Sequence, residues 1–253
     1  HRINRRQRQM CIRDSSNTAR SSSNFYALNN GIATLFEIRG VGIGKTSFKR
    51  RINSGLAVGF SFLKTAYENS NFIFNQIDIA NTYTNDIVLQ HERSIYTDVI
   101  KAIDIESNEL IDFSTTMHSS KDSYAISKRD RPLAYIIKKN NYGFIEKLND
   151  VGVNYVELEK DTMIYSGGYK VVEFNNKFKV YEKMKMQKVV TSIEYSNNKF
   201  SKGDILISMN QKRSNLIAEL LEPEAPNSYV SFGIIKTSLN NQLPIYRIKN
   251  FNN

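Results

Sequence analysis

Between Asn30 and Ile38 the chain carries GIATLFEI, a short run of strand-forming residues with Asn29-Asn30 before it and Gly40 after it. Such a run, bounded by turn residues, predicts a buried strand. Its polar exception is Glu37. Gly40, Gly42 and Gly44 then mark a turn, after which Phe48, Ile52, Leu56, Phe60 and Leu63 recur at helical spacing. That period predicts an amphipathic helix of about six turns at ~3.6 residues each, with Lys49, Arg50, Arg51 and Lys64 on its solvated side.

An acid inside an apolar strand must be paired, neutralised or delivered to a cleft. Glu37 stands at the end of its run, where strand side chains of α/β sheets face the ligand crevice. A structural ion pair with Arg39 or Arg50 is the alternative. The neighbouring GVGIGKTS resembles a phosphate-binding loop, but G-x-x-x-x-G-K-[ST] needs glycine at position 39, where Arg39 stands. The loop is one residue short for its amides to wrap a phosphate, so nucleotide binding is not expected.

Further along, helices are predicted around Phe72 to Tyr83 and Ser94 to Ala102. A strand over Leu133 to Ile137, a helix over Tyr142 to Asp150 stopped by Gly152, and a strand over Tyr155 to Leu158 make a β-α-β unit. Tyr169 to Phe174, Lys188 to Tyr195 and Asp204 to Ser208 read as strands, with turns at Asn197-Asn198 and Lys202-Gly203. A helix over Asn215 to Leu221 should stop at Pro223.

The 253 residues suffice for one domain plus an appendage or for two small domains. Of the net charge of +10, Arg2, Arg5, Arg6, Arg8 and Arg13 against Asp14 supply +4, leaving +6 over the remainder. The body's lysines are dispersed, so nucleic acid is not an expected partner. The segment 1–14 lacks either apolar period and resembles translated sequencing-adapter DNA; a basic arm is the alternative. Cys11 is the single cysteine, which excludes an internal disulfide and a multi-cysteine zinc site. No apolar run is long enough for a transmembrane segment, and no signal-peptide pattern is present.

The stretch NFYALNNGIATLFEIRGVGIGKTSFKRRINSGLAVGFSFLKTA resembles the end of the catalytic domain of carboxypeptidase A-like zinc peptidases. In that family a central strand ends in a catalytic Glu followed by an Arg, as in Phe36-Glu37-Ile38-Arg39-Gly40. RPLAYII, VGVNYVEL, GDILISMNQKRSNLIAELLEPEAPNSYVSFGII and LPIYRI resemble the appended C-terminal region of bacterial members. The resemblance implies a C-terminal piece of such an enzyme: a partial α/β/α sandwich over residues 15–68, a helical connection over 69–120, and a smaller β-rich α+β domain over 121–253. It implies hydrolysis of C-terminal peptide bonds, with peptide or protein C-termini as substrate and Glu37 as general base. It also implies a periplasmic or secreted parent.

The family holds its zinc with a His-x-x-Glu pair and a further His, all upstream of the catalytic Glu. Here the histidines are His1, His91 and His118; none begins His-x-x-Glu and two follow Glu37. Zinc is therefore expected in a longer parent and no metal ligand is assigned in this chain, which should be inert alone. Arg20 and Tyr26 are not carried over as substrate-anchoring residues. The competing reading is a noncatalytic peptide- or glycan-binding module whose face would draw on Tyr165, Tyr169, Tyr181 and Tyr229.

Overall fold

The computed structural model describes residues 19–36, 38, 44–82, 85–139 and 142–250. They form a mixed α/β protein with two antiparallel sheets. The chain divides into two compact units, one from residues 1–84 with 132–253 and the other from 85–131.

In the larger unit, the short helix α1 (Ser22–Leu28) leads to an irregular segment, then a 3-10 turn (Gly44–Ser47), α2 (Phe48–Glu68) and α3 (Ser70–Asn81). The helices fall where the apolar period placed them, α2 with 21 residues and α3 with 12. The predicted strand over Asn30 to Ile38 is not formed at any of its described positions. A strand persists only through ladder bonds to neighbours, and neither sheet takes a strand from this part of the chain. Ile32, Leu35 and Phe36 are consequently exposed rather than core. None of α1, α2 or α3 has a buried residue.

The second part of this unit has its own core. Strands β3 (Ala134–Ile137), β4 (Val156–Glu157), β5 (Thr162–Tyr181), β6 (Met184–Phe200), β7 (Ile205–Ser208) and β8 (Gln242–Ile248) form one sheet in the order β4-β7-β3-β8-β5-β6. Helix α4 (Tyr142–Asp150) connects β3 to β4, and β7 pairs antiparallel with both. The expected β-α-β unit is thus split by an inserted strand. Gly152, at φ +69, ends α4, and the Val153 amide donates back to Leu148 O at 2.9 Å. Helix α5 (Ser214–Leu221) ends before Pro223 and buries Leu216, Ile217, Ala218 and Leu221.

Period-two alternation sorts the sheet into two faces. Ala134, Ile136, Tyr246 and Ile248 pack with Phe200 into one apolar cluster. Tyr135, Ile137, Ile245 and Arg247 alternate with them and are equally buried. Close approach requires Gly167 in β5, where an added Cβ would stand 2.7 Å from Ile193 Cγ2 and 2.8 Å from the Tyr195 ring.

Two sequence expectations fail here. Asn197-Asn198 is not a turn; the pair lies within β6 opposite Tyr165 and Ile164, and Asn198 Nδ2 donates to Ser166 O at 3.0 Å. The real turn is Glu182-Lys183, at φ 47 and 68. In the smaller unit, Ser94 to Ala102 is not a helix but part of β1 (Ile87–Ile103), paired with β2 (Leu110–Arg129). The region 69–120 is thus helical only over its first part. Asp104 organises the β1–β2 turn by accepting from the Ser107 hydroxyl at 2.8 Å, and these bonds hold its carboxyl below the usual range.

Candidate functional site

Arg39, Gly40 and Gly42 lie outside the described residues, as do His1 and Glu37. A cleft of about 370 Å³ runs along the segment that leads to it. Tyr26 and Ser23 of α1 form one wall, Ile32, Leu35 and Phe36 the floor, and Phe62 of α2 the other wall. The rings of Phe36 and Phe62 meet edge to face at 6.0 Å. Ile38, just beyond Glu37, lies over Gly55, where a Cβ would find its Cδ1 at 3.6 Å.

Polar contacts hold this cleft to the sheet-bearing part of the unit. Asn30 adopts φ 54, tolerated by Asn better than by most residues. Its Nδ2 donates to Asn81 Oδ1 at 2.9 Å and to Lys212 O at 3.3 Å, and its Oδ1 accepts from Asn215 Nδ2 at 3.2 Å. One side chain thereby joins the ends of α1 and α3 to the start of α5. Arg20 makes the second anchor. Its guanidinium lies 3.7 Å from the Tyr181 ring centroid and 5.0 Å from that of Phe232, and its Nε donates to Asn227 Oδ1 at 3.0 Å. Sequence reasoning missed this role, because nothing local in the sequence around Arg20 announces partners in β5 and beyond it.

The cleft can accept an apolar side chain against Ile32, Leu35, Phe36 and Phe62, with Tyr26 and Ser23 also in its lining. It does not supply a metal site. Among the described residues no group of three His, Cys, Asp or Glu is placed to hold an ion. His91 and His118 are exposed in the β1–β2 ribbon, opposite Ala125 and Ile95. The family's zinc therefore does not fit the described residues.

The proposed aromatic binding face is also not assembled. Tyr169 and Tyr229 are core residues; burial, with the charge of Asp150, pushes the Tyr229 hydroxyl far above its ordinary pKa. Tyr181 is taken up by Arg20, and Tyr165 stacks on Tyr195 at 6.0 Å. One buried polar group is chemically rich but closed to substrate. Tyr135 Oη donates to Glu222 Oε1 at 2.5 Å, and Arg247 Nε lies 3.4 Å from the same oxygen. With all three buried, this is architecture rather than a catalytic centre.

Comparison with known proteins bears on this geometry. The chain is 29% identical over 250 residues to carboxypeptidase 2 of Trichophyton equinum, covering 95% of this chain and 46% of that protein. It is 28% identical over 245 residues to carboxypeptidase 2 of Trichophyton tonsurans, with the same coverage. Similarity to the probable carboxypeptidase 2 of Arthroderma benhamiae is 26% over 223 residues, covering 85% of this chain and 41% of that protein. These likenesses support a carboxypeptidase family. The relatives are fungal, whereas the sequence resemblance was drawn to bacterial members, and the chain spans about half the length of the curated relatives it matches. No protein-family model matches the chain. No solved structure matches it. No helix among the described residues is long and apolar enough to cross a membrane.

Proposed function

We propose that this chain is the Glu37-bearing part of a zinc-dependent carboxypeptidase that removes residues from peptide C-termini. The observation that carries the reading is similarity to carboxypeptidase 2 proteins along 95% of the chain. Glu37 is the general base, taking the proton of the attacking water and passing it to the leaving amine. The cleft lined by Leu35, Phe36 and Phe62 receives an apolar part of the peptide.

Zinc in such an enzyme polarises the scissile carbonyl and acidifies water. On this reading its ligands lie in a longer parent protein. The 253-residue chain alone is inert, and the parent acts outside the cytoplasm.

The test is expression of the longer reading frame, assayed on peptides with free and with amidated C-termini. Cleavage should require the free carboxylate, stop on chelation and return with zinc. Glu37→Gln should cut kcat by at least about 10²-fold, the scale of general-base catalysis. Activity that survives chelation would overturn the zinc assignment. An unchanged kcat in the Gln variant would overturn the role of Glu37.

A further inference from the structure

The hairpin joining β5 to β6 carries chemistry that the peptidase reading does not use. Beyond Val171 no strand but β6 pairs with β5, so the two continue as a ribbon past their contact with β8. Between Asn175 and Lys185 every residue except Tyr181 is exposed. This tip holds Lys177, Lys179, Lys183 and Lys185, with Lys188 just below. None of these five enters an ion pair among the described residues, while the acid between them, Glu182, lies 3.8 Å from Arg20.

Apolar side chains interleave with the lysines. Val180 is 69% exposed, and Phe178 and Met184 are exposed beside it. Lys179 and Lys188 place their ammonium groups 5.4 and 5.7 Å from the Phe178 ring. A cleft of about 490 Å³ opens between Asn176, Lys177, Lys179, Val180 and Lys185.

We infer that this hairpin tip docks on an anionic lipid surface, its lysines at headgroup phosphates and Phe178, Val180 and Met184 in the interfacial layer. Clustered lysines each gain from a negative bilayer. Exposed apolar side chains gain only where the partner offers a non-aqueous layer, and their presence separates a bilayer from a soluble polyanion. A second copy of this chain docking tip to tip is a poor occupant, since the two lysine clusters would repel.

Vesicle co-sedimentation of the full chain tests this, using phosphatidylcholine with and without phosphatidylserine at low and high salt. Binding should require phosphatidylserine and weaken with salt. Lys179→Gln with Lys185→Gln should lower the partition coefficient about 30-fold, at roughly a fivefold loss per lysine. Phe178→Ser with Val180→Ser should lower it several-fold. Because these side chains are exposed, circular dichroism should show both variants folded.

Equal binding to neutral vesicles would overturn the inference, as would variants that sediment like the parent, which would point to the apolar face of α2. Loss in the lysine variant alone, with equally tight binding to heparin, would replace the bilayer by a soluble polyanion.

Discussion

The buried group at Tyr135, Glu222 and Arg247 offers the sharpest test of how the sheet-bearing part is stabilised. Register puts Tyr135 of β3 directly opposite Arg247 of β8, and Glu222 follows α5, so the group binds the sheet to the helix beside it. Arg247 and Glu222 side chains are 1% and 0% exposed. Glu222→Gln removes the countercharge that lies 3.4 Å from a guanidinium unable to lose its proton. Breaking such a buried pair from one side costs about 3–5 kcal/mol. Arg247→Met leaves a carboxylate that keeps the Tyr135 bond, so about 3 kcal/mol is expected there. The double variant removes both charges while Gln still accepts from Tyr135, and should lie within about 1.5 kcal/mol of the parent. A coupling of several kcal/mol should therefore close the cycle. Urea unfolding followed by far-UV circular dichroism gives the three values; each single variant should lose roughly 6–20 °C in Tm, at about 2–4 °C per kcal/mol. Single variants costing under about 1 kcal/mol, or costs that simply add, would refute a coupled buried charge pair.

In α2, Phe60 is 68% and Leu63 64% exposed; Phe60→Ser with Leu63→Ser should reduce self-association in sedimentation velocity while changing stability by no more than about 0.5 kcal/mol per site. Burial raises the Glu219 carboxyl above its ordinary value, partly offset by bonds from Asn227. Its folded state thus binds the proton more tightly than the unfolded state, so its stabilising contribution is full below the ordinary carboxylate range and lost as pH rises through the raised value. Glu219→Gln stays neutral and still accepts from Asn227, so its Tm relative to the parent should climb between acid and neutral pH; a constant difference in melts across that range would count against the burial argument.

The sequence read best where one face of an element was decisive. Helices α2 to α5 and strands β3 and β7 announce themselves through period and Gly or Pro stops. It read worst where pairing outranked pattern. Ile95, Tyr96, Val99, Ile100 and Ile103 repeat at helical spacing, yet they sit in β1; the available signal was β-branching at Ile95, Thr97, Val99, Ile100 and Ile103. Glu182-Lys183 turns a hairpin at two positive φ values without the Asn or Gly that usually mark such a turn. The segment around Glu37 is the instructive failure. Its residues have strand composition, but composition supplies no ladder partner, and without one the run remains irregular and exposed at its described positions. Of the candidate site, Glu37 was legible as an acid out of place; the Tyr26, Phe36 and Phe62 cleft was not, because it depends on how α1 and α2 bracket the segment.

That asymmetry constrains how the site could work. Catalytic groups must be held to within about 0.5 Å by packed neighbours. The sheet around Arg247 has such packing, whereas α1, α2 and α3 bury no side chain and the cleft relies on Asn30, Arg20 and the Phe36–Phe62 edge contact. Those contacts tie the cleft to β5 and α5, so the sheet-bearing part serves as its rigid base. The exposed apolar side chains of α2, with Tyr67 at 83% exposure, leave that side of the cleft without the packing such precision needs. A substrate held on one side only forfeits part of the rate gain from orientation, which can reach about 7–11 kcal/mol of barrier. On the proposed reading, a substitution that keeps α2 exposed should therefore depress kcat in the longer protein even with Glu37 intact.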